Sequence, residues 1–158
     1  MPKIHPFLWF DTQAEAAADF YVSVFPNSKI LRTMRNPEAA PGPTGGVLTV
    51  EFELDGFPVT ALNGGPHFHF SEAVSFWISC KDQAEVDRYW EKLLDGGEPS
   101  QCGWLKDRFG FSWQVVPDGF FDIMNGSDPA GRERAMAAMM KMVKLDLATL
   151  QAAYVGEG

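Results

Sequence analysis

Residues 5–25 read HPFLWFDTQAEAAADFYVSVF, and residues 75–94 read SFWISCKDQAEVDRYWEKLL. Set in register at an offset of 70, the two stretches share the tripeptide Gln-Ala-Glu at 13–15 and 83–85, and the aromatic Phe20 falls on Trp90. A strand-length apolar run precedes the tripeptide in both. The chain is therefore expected to contain two copies of one folding unit.

Each copy begins with an apolar run, Phe7–Phe10 in the first and Val74–Ile78 in the second. A helix start follows each run. Thr12 and Asp82 each stand three residues before a glutamate, which is the pattern of an N-cap with its capping-box acid. Apolar residues then recur at helical spacing, so both copies are predicted to begin with a strand followed by a helix.

Further signals end each helix and continue into strands. Pro26 is predicted to end the first helix, and the pair Gly96-Gly97 to cap the second. Asp55-Gly56 indicates a hairpin between two strands. Strands are predicted at Lys29–Met34, Val47–Leu54, Phe57–Leu62, Ser100–Lys106 and Phe111–Val116. Each copy is thus a βαβββ unit, and the fold class is α+β.

These units account for the chain up to Pro117. We expect module 1 at about residues 1–66, module 2 at about 72–117 and a C-terminal helical extension at about 118–158, all within one domain spanning 1–158. Two helices are predicted in the extension, one from about Arg132 to Val143 and one from an Asp146 cap to Tyr154. The methionines near residue 140 form an apolar stripe that we interpret as packing, either over the sheet or against another subunit.

Composition excludes several classes of partner. The 158 residues carry a formal net charge of −8 and no run of Lys or Arg, so nucleic acid and anionic membrane surfaces are not expected partners. No stretch approaches the roughly 20 apolar residues of a spanning helix, and MPKIHPFLWFDTQ lacks the apolar core of a signal peptide. Cys80 and Cys102 are far apart and form no CxxC motif, which predicts reduced thiols and a cytoplasmic location.

The paired βαβββ modules resemble the vicinal-oxygen-chelate superfamily, which includes glyoxalase I, fosfomycin-resistance proteins, bleomycin-resistance proteins and extradiol dioxygenases. Within it, the sequence is similar to the PhnB-like group, often labelled 3-demethylubiquinone-9 3-methyltransferase domain proteins. The matching stretches include PFLWFDTQAEAAADFYVSVFPNSKI, FELDGFPVTALNGGPHFHF and GGEPSQCGWLKDRFGFSWQVVPDG. The resemblance implies a curled mixed sheet in each module, a cleft and, as is common in the superfamily, a homodimer.

The resemblance also indicates where a site is expected. Metal-dependent relatives take His and Glu ligands from the first and last strands of both modules, and the matching positions here are His5, Thr60, Ser75 and Gln114. Only the histidine is a strong ligand for a divalent ion. We therefore expect no metal cofactor, and a cleft that binds an unidentified small polar or aromatic molecule. Further candidate lining residues are Trp9, Trp77, Cys102 and Trp104.

Two alternatives remain open. His67 and His69 flank Phe68 in the connector between the modules, where an exposed or inter-subunit pair is expected. Joined to His5 of another chain, they would give a divalent metal site of a lyase or dioxygenase type. The second alternative is a non-catalytic dimeric interaction module. A methyltransferase is not supported, because no glycine-rich loop follows the first strand.

Overall fold

The computed structural model describes residues 2–157 and divides into two compact units between Phe70 and Ser71. The first unit contains the strands and helix β1 Phe7–Phe10, α1 Ala14–Val24, β2 Lys29–Arg35, β3 Val47–Leu54 and β4 Phe57–Asn63. The second contains β5 Ser75–Cys80, α2 Gln83–Leu94, β6 Glu98–Pro99, β7 Trp104–Lys106, β8 Ser112–Pro117, α3 Gly119–Met124, α4 Pro129–Met139 and α5 Leu147–Val155. Below, module 1 denotes β1–β4 with α1, module 2 denotes β5–β8 with α2, and the C-terminal extension contains α3–α5.

The two sheets have the same topology. Module 1 has the strand order β1-β4-β3-β2, and module 2 has the order β5-β8-β7-β6. In each sheet the first strand runs parallel to the last one, and the remaining neighbours are antiparallel. The predicted α+β fold of two βαβββ modules with C-terminal helices is confirmed; the single-domain organisation and the boundaries at about residues 66 and 72 stay predictions.

Buried and more exposed side chains alternate along the strands, and this alternation shows which face of each sheet is covered by the helix of its module. In β3, Val50, Phe52 and Leu54 are buried on the side of α1, whose alanines and Tyr21 pack against them. In module 2 the side chains that face α2 include Ile78 and Val115. The opposite side of each sheet, which we call its open face, carries polar residues such as Thr60 and Gln114 together with aromatic ones such as Phe7 and Trp77.

The two helix starts are capped differently. Asp82 accepts a hydrogen bond from the backbone N–H of Glu85 at 2.9 Å, so the predicted cap of α2 is confirmed. The predicted cap at Thr12 is wrong, because α1 begins after Gln13, whose side chain makes no capping bond. Instead the side-chain oxygen of Asn63 accepts from Ala14 N at 2.8 Å. Parallel pairing aligns the end of β4 with the end of β1, which brings this asparagine to the helix start.

The predicted strand at Ser100–Lys106 is only partly correct. Its first half is a turn in which Cys102 and Gly103 both adopt positive φ, at 58° and 86°. Their backbone N–H groups donate to the carbonyls of Met142 and Val143, each at 2.8 Å. The C-terminal extension therefore draws this segment out of the sheet, and β7 begins only at Trp104.

The C-terminal extension has a small apolar core of its own. Ile123, Ala135 and Leu150 are its buried centre. The helix predicted over Arg132–Val143 instead spans Pro129–Met139, because Asp128 caps it and Pro129 occupies its first turn. The Asp146 cap of α5 is confirmed by a 2.9 Å bond from Thr149 N, whereas α3 was not predicted. Among residues 2–157, no helix is long and apolar enough to cross a membrane.

The side chain of Gln83 holds the extension to module 2. Its Nε2 donates to the carbonyl of Leu145 at 2.9 Å, and its Oε1 accepts from Leu147 N at 2.8 Å. Leu145 is fully buried, and Lys144 pairs with Asp87 of α2 at 2.7 Å. The start of α2 and the segment before α5 are thus joined by one side chain that satisfies two backbone groups.

Candidate ligand-binding faces of the two sheets

Equivalent rows of residues cross the two open faces. In module 1, Phe7 of β1 lies beside Thr60 of β4, which lies beside Glu51 of β3. The corresponding row of module 2 consists of Trp77, Gln114 and Trp104. The register places Thr60 and Gln114 in matching positions of the two rows, as the resemblance to the superfamily implies.

A hydrogen bond joins the first and last strands of module 1. His5 lies just before β1, and its Nε2 is 3.0 Å from the hydroxyl of Thr60. The backbone N–H of Thr60 donates to Pro6 O at 3.0 Å, which fixes the segment that carries the histidine. Thr60 is buried, and the second ring nitrogen of His5 is buried with no hydrogen-bond partner in the structure. Two of the four candidate positions, His5 and Thr60, are therefore in direct contact.

The same kind of bond occurs in module 2. Gln114 Nε2 donates to the hydroxyl of Ser75 at 2.9 Å, and both residues are half-buried. One N–H of the amide is used in this way. Both modules thus connect the start of their first strand to the middle of their last strand through side chains on the open face.

An ion pair on the open face of module 1 was missed in the sequence. Arg32 of β2 binds Glu51 with two hydrogen bonds, Nε to Oε2 at 2.7 Å and Nη2 to Oε1 at 2.9 Å. The hydrogen bond from Arg32 lowers the pKa of Glu51, burial opposes the shift, and the charges of Arg32 and His5 add to the lowering. The alternation of Val50, Glu51 and Phe52 could have indicated a carboxylate on the open face.

Trp9 lies on the open face of module 1, but its ring is engaged with the connector. Its Nε1 donates to Gly65 O at 2.9 Å, and its ring meets Phe68 edge-on at a centroid distance of 4.9 Å. A Cβ atom at Gly64 would lie 2.4 Å from the indole, so only glycine permits this approach. Trp9 therefore positions the start of the connector.

The remaining candidates belong to module 2 and differ in accessibility. Trp77 is 43% exposed, whereas Trp104 is half-buried in the row beside Gln114. Cys102 lies in the turn before β7, so its predicted place on a strand is wrong, and its Sγ is 4.0 Å from the sulfur of Met140. Burial raises the pKa of the other thiol, Cys80, to about 12.

The donor set does not fit a divalent metal ion. Such an ion requires two or three anionic or imidazole ligands, and His5, Thr60, Ser75 and Gln114 supply one. Among residues 2–157, no group of three or more His, Cys, Asp and Glu side chains is arranged to hold a metal. His67 and His69 are exposed in the segment after β4, as expected, and a site that they form with another chain stays a prediction.

Comparisons with known proteins agree with this architecture. The family model described as 3-demethylubiquinone-9 3-methyltransferase matches residues 2–116. Among solved structures, the PhnB protein of Bacillus cereus is 32% identical, with a TM-score of 0.68, over 73% of this chain and 99% of that chain. None of the curated proteins compared with the chain matches it.

Two more distant structures share the fold. Protein PA1353 of Pseudomonas aeruginosa is 20% identical, with a TM-score of 0.60, over 74% of this chain and 98% of its own. The fosfomycin resistance protein FosX of Listeria monocytogenes is 14% identical, with a TM-score of 0.54, over 79% of this chain and 98% of its own. At these identities the likeness concerns the fold alone.

Proposed function

The chain belongs to the 3-demethylubiquinone-9 3-methyltransferase family of glyoxalase-fold proteins, and we propose that it binds a small polar molecule without a metal ion. The observation that carries the proposal is the hydrogen bond repeated at matching positions, His5 with Thr60 and Ser75 with Gln114. At the positions that the resemblance matches to metal-binding residues of the superfamily's enzymes, this chain has three neutral hydrogen-bonding groups and one imidazole. Such groups are suited to orienting the polar atoms of a small molecule.

Hydrogen-bonding capacity remains at the module 2 pair. The amide of Gln114 has a second N–H and a carbonyl oxygen, and the hydroxyl of Ser75 can still donate. Since both residues are half-buried on the open face, a ligand can reach these groups. A ligand with adjacent donor and acceptor atoms, such as an amide, would match them.

Charge on the open faces favours an uncharged ligand over an anion. Lys29 pairs with Glu53, Arg32 pairs with Glu51, and Lys106 pairs with Glu72. A carboxylate therefore already neutralises each of these three cations. A phosphonate or another anionic ligand would have to break an ion pair before it could bind one of them.

The methyltransferase description of the family is not carried over to this chain. Methyl transfer from S-adenosylmethionine typically uses a parallel sheet with a glycine-rich loop after its first strand. Here, β1 is followed by Asp11, Thr12 and Gln13, and within residues 2–157 each sheet is a mixed βαβββ sheet. The sequence and the topology therefore do not support methyl transfer from S-adenosylmethionine.

Fragment binding tests the proposal. The full chain would be screened by ligand-observed NMR against small neutral amides and alcohols. We expect Gln114→Ala to weaken the binding of hits about tenfold, the effect of one or two lost hydrogen bonds. The matched control is Gln101→Ala, an exposed glutamine in the turn before β7. Binding that Gln114→Ala and Thr60→Val both leave unchanged would contradict the proposal.

A homodimer in the cytoplasm completes the proposal. Strand β2 is a seven-residue edge strand in which every residue is exposed, including Ile30, Leu31 and Met34. Its counterpart in module 2, β6, has two residues and ends in a proline. A second copy that covers this edge would remove the exposed apolar side chains from water. Light scattering tests this: a mass of 17.5 kDa in dilute solution would contradict the dimer, and about twice that mass would support it.

Both cysteines are free thiols, in keeping with a reducing compartment.

A further inference from the structure

We propose that the C-terminal extension completes a site for a planar aromatic molecule on the open face of module 2, with Trp77 and Phe121 as its apolar wall. The inference rests on the proposed function, because it identifies the class of ligand that the Ser75–Gln114 pair would hold. Trp77 is among the candidates that the sequence predicts, whereas no residue of the extension is.

The position of Phe121 follows from how α3 begins. Asp118 N donates to Cys80 O at 2.7 Å, so the chain that leaves β8 is fixed to the end of β5. Helix α3 then directs Phe120, Ile123 and Met124 into the core of the extension. Phe121 lies about 100° around the helix from Phe120 and does not join that core.

Instead, Phe121 packs on Trp77. The two ring centroids are 5.5 Å apart, and the ring planes are inclined at 35°. The side chains nevertheless remain 48% and 43% exposed, although both are large and apolar. Two aromatic rings that contact each other and remain open to solvent offer a preformed surface for a third ring.

The polar pair lies next to this surface. Trp77 is the cross-strand partner of Gln114, and Ser75 precedes it by two residues on the same face of β5. A flat ring that rests on Trp77 and Phe121 would therefore place a polar substituent near the amide of Gln114. A neutral aromatic amide or phenol has this combination of a flat apolar body and a hydrogen-bonding group.

Phe121 lies outside residues 2–116, the part of the chain that the family model matches. The family model ends at residue 116, and 73% of this chain covers 99% of the Bacillus cereus protein. The open face with its polar pair belongs to the matched part, whereas Phe121 belongs to the extension. We infer that the extension adds selectivity for aromatic ligands to a binding face that the fold already provides.

Two probes with the same polar group separate the contribution of the aromatic wall from that of the Ser75–Gln114 pair. Benzamide and cyclohexanecarboxamide would be titrated into the ¹⁵N-labelled full chain, with the indole N–H signal of Trp77 as the reporter. We expect benzamide to bind about threefold to tenfold more tightly, the effect of one aromatic contact. Phe121→Leu should reduce that preference, since Trp77 alone then contacts the ring, and should leave cyclohexanecarboxamide binding within about twofold. Phe57→Leu, at a 47% exposed phenylalanine in the module 1 hairpin, is the matched control and should change neither.

The outcomes distinguish this inference from the proposed function. Equal binding of the two probes, weakened by Gln114→Ala and unaffected by Phe121→Leu, would support the polar site and overturn the role of the extension. Failure of both probes to bind the wild-type chain would overturn both. A dimer that Phe121→Lys converts to monomer would show that a second copy covers Trp77 and Phe121, which also overturns the inference.

Discussion

Replacing Gln83 by alanine should loosen the C-terminal extension and leave module 2 folded. The change removes the side-chain bonds to Leu145 O and Leu147 N, at 2.9 and 2.8 Å. A hydrogen bond contributes about 0.5–1.5 kcal/mol net, so two of them predict a loss of about 1–3 kcal/mol in the free energy of unfolding. The third bond of this side chain, to Asp87, is exposed and adds little to that figure.

The internal repeat supplies the control. Gln13 occupies the position equivalent to Gln83, but it is exposed and makes no capping bond. Gln13→Ala should therefore change the unfolding free energy by less than about 0.5 kcal/mol. Urea unfolding followed by far-UV circular dichroism measures both variants, and hydrogen exchange at Leu147 N reports local release of the extension. Equal effects of the two substitutions would refute the assigned role of Gln83.

Three further predictions concern single groups. Asn63→Ala should lower the unfolding free energy by about 1–3 kcal/mol, because it removes the α1 cap and the 3.0 Å bond from Asn63 Nδ2 to Val47 O; Asn63→Asp should retain the cap but lose the bond to Val47, and urea titration measures both. The folded state lowers the pKa of Glu51, so the stability that its ion pair with Arg32 contributes is present above the unfolded pKa and is lost as pH falls through the folded value. Glu51→Gln should therefore reduce the drop in melting temperature between pH 7 and pH 3, and an unchanged drop would count against the ion pair. Iodoacetamide at pH 8 should modify Cys102 and spare Cys80, whose pKa is raised to about 12 by burial; mass spectrometry that finds modified Cys80 in the folded protein would contradict its burial.

The order of strands and helices could be predicted because each signal is local. Asp55-Gly56 forms the predicted tight turn, with positive φ at both residues, and Asp82 caps its helix through a side chain three residues away. The resemblance to the superfamily, and not a local signal, assigned His5 and Thr60 to one candidate site although they are 55 positions apart.

What could not be predicted depends on contacts between distant segments. Asn63 caps α1 from the end of another strand, and no pattern near residue 12 indicates that partner. The turn at Cys102 exists because residues 142 and 143 accept its backbone bonds, so the local sequence still predicts a strand there. Phe121 reaches Trp77 only through the placement of α3, which is a short helix with no strong sequence signal.

Metal stoichiometry tests whether the candidate site works without a metal ion. Purified protein would be loaded with Mn, Fe, Ni and Zn, dialysed and analysed by plasma mass spectrometry. The expected result is less than about a tenth of an equivalent, because one imidazole and three neutral groups cannot retain a divalent ion. About one full equivalent that is lost on His5→Ala would contradict it, and would show that the first-strand histidine is a metal ligand.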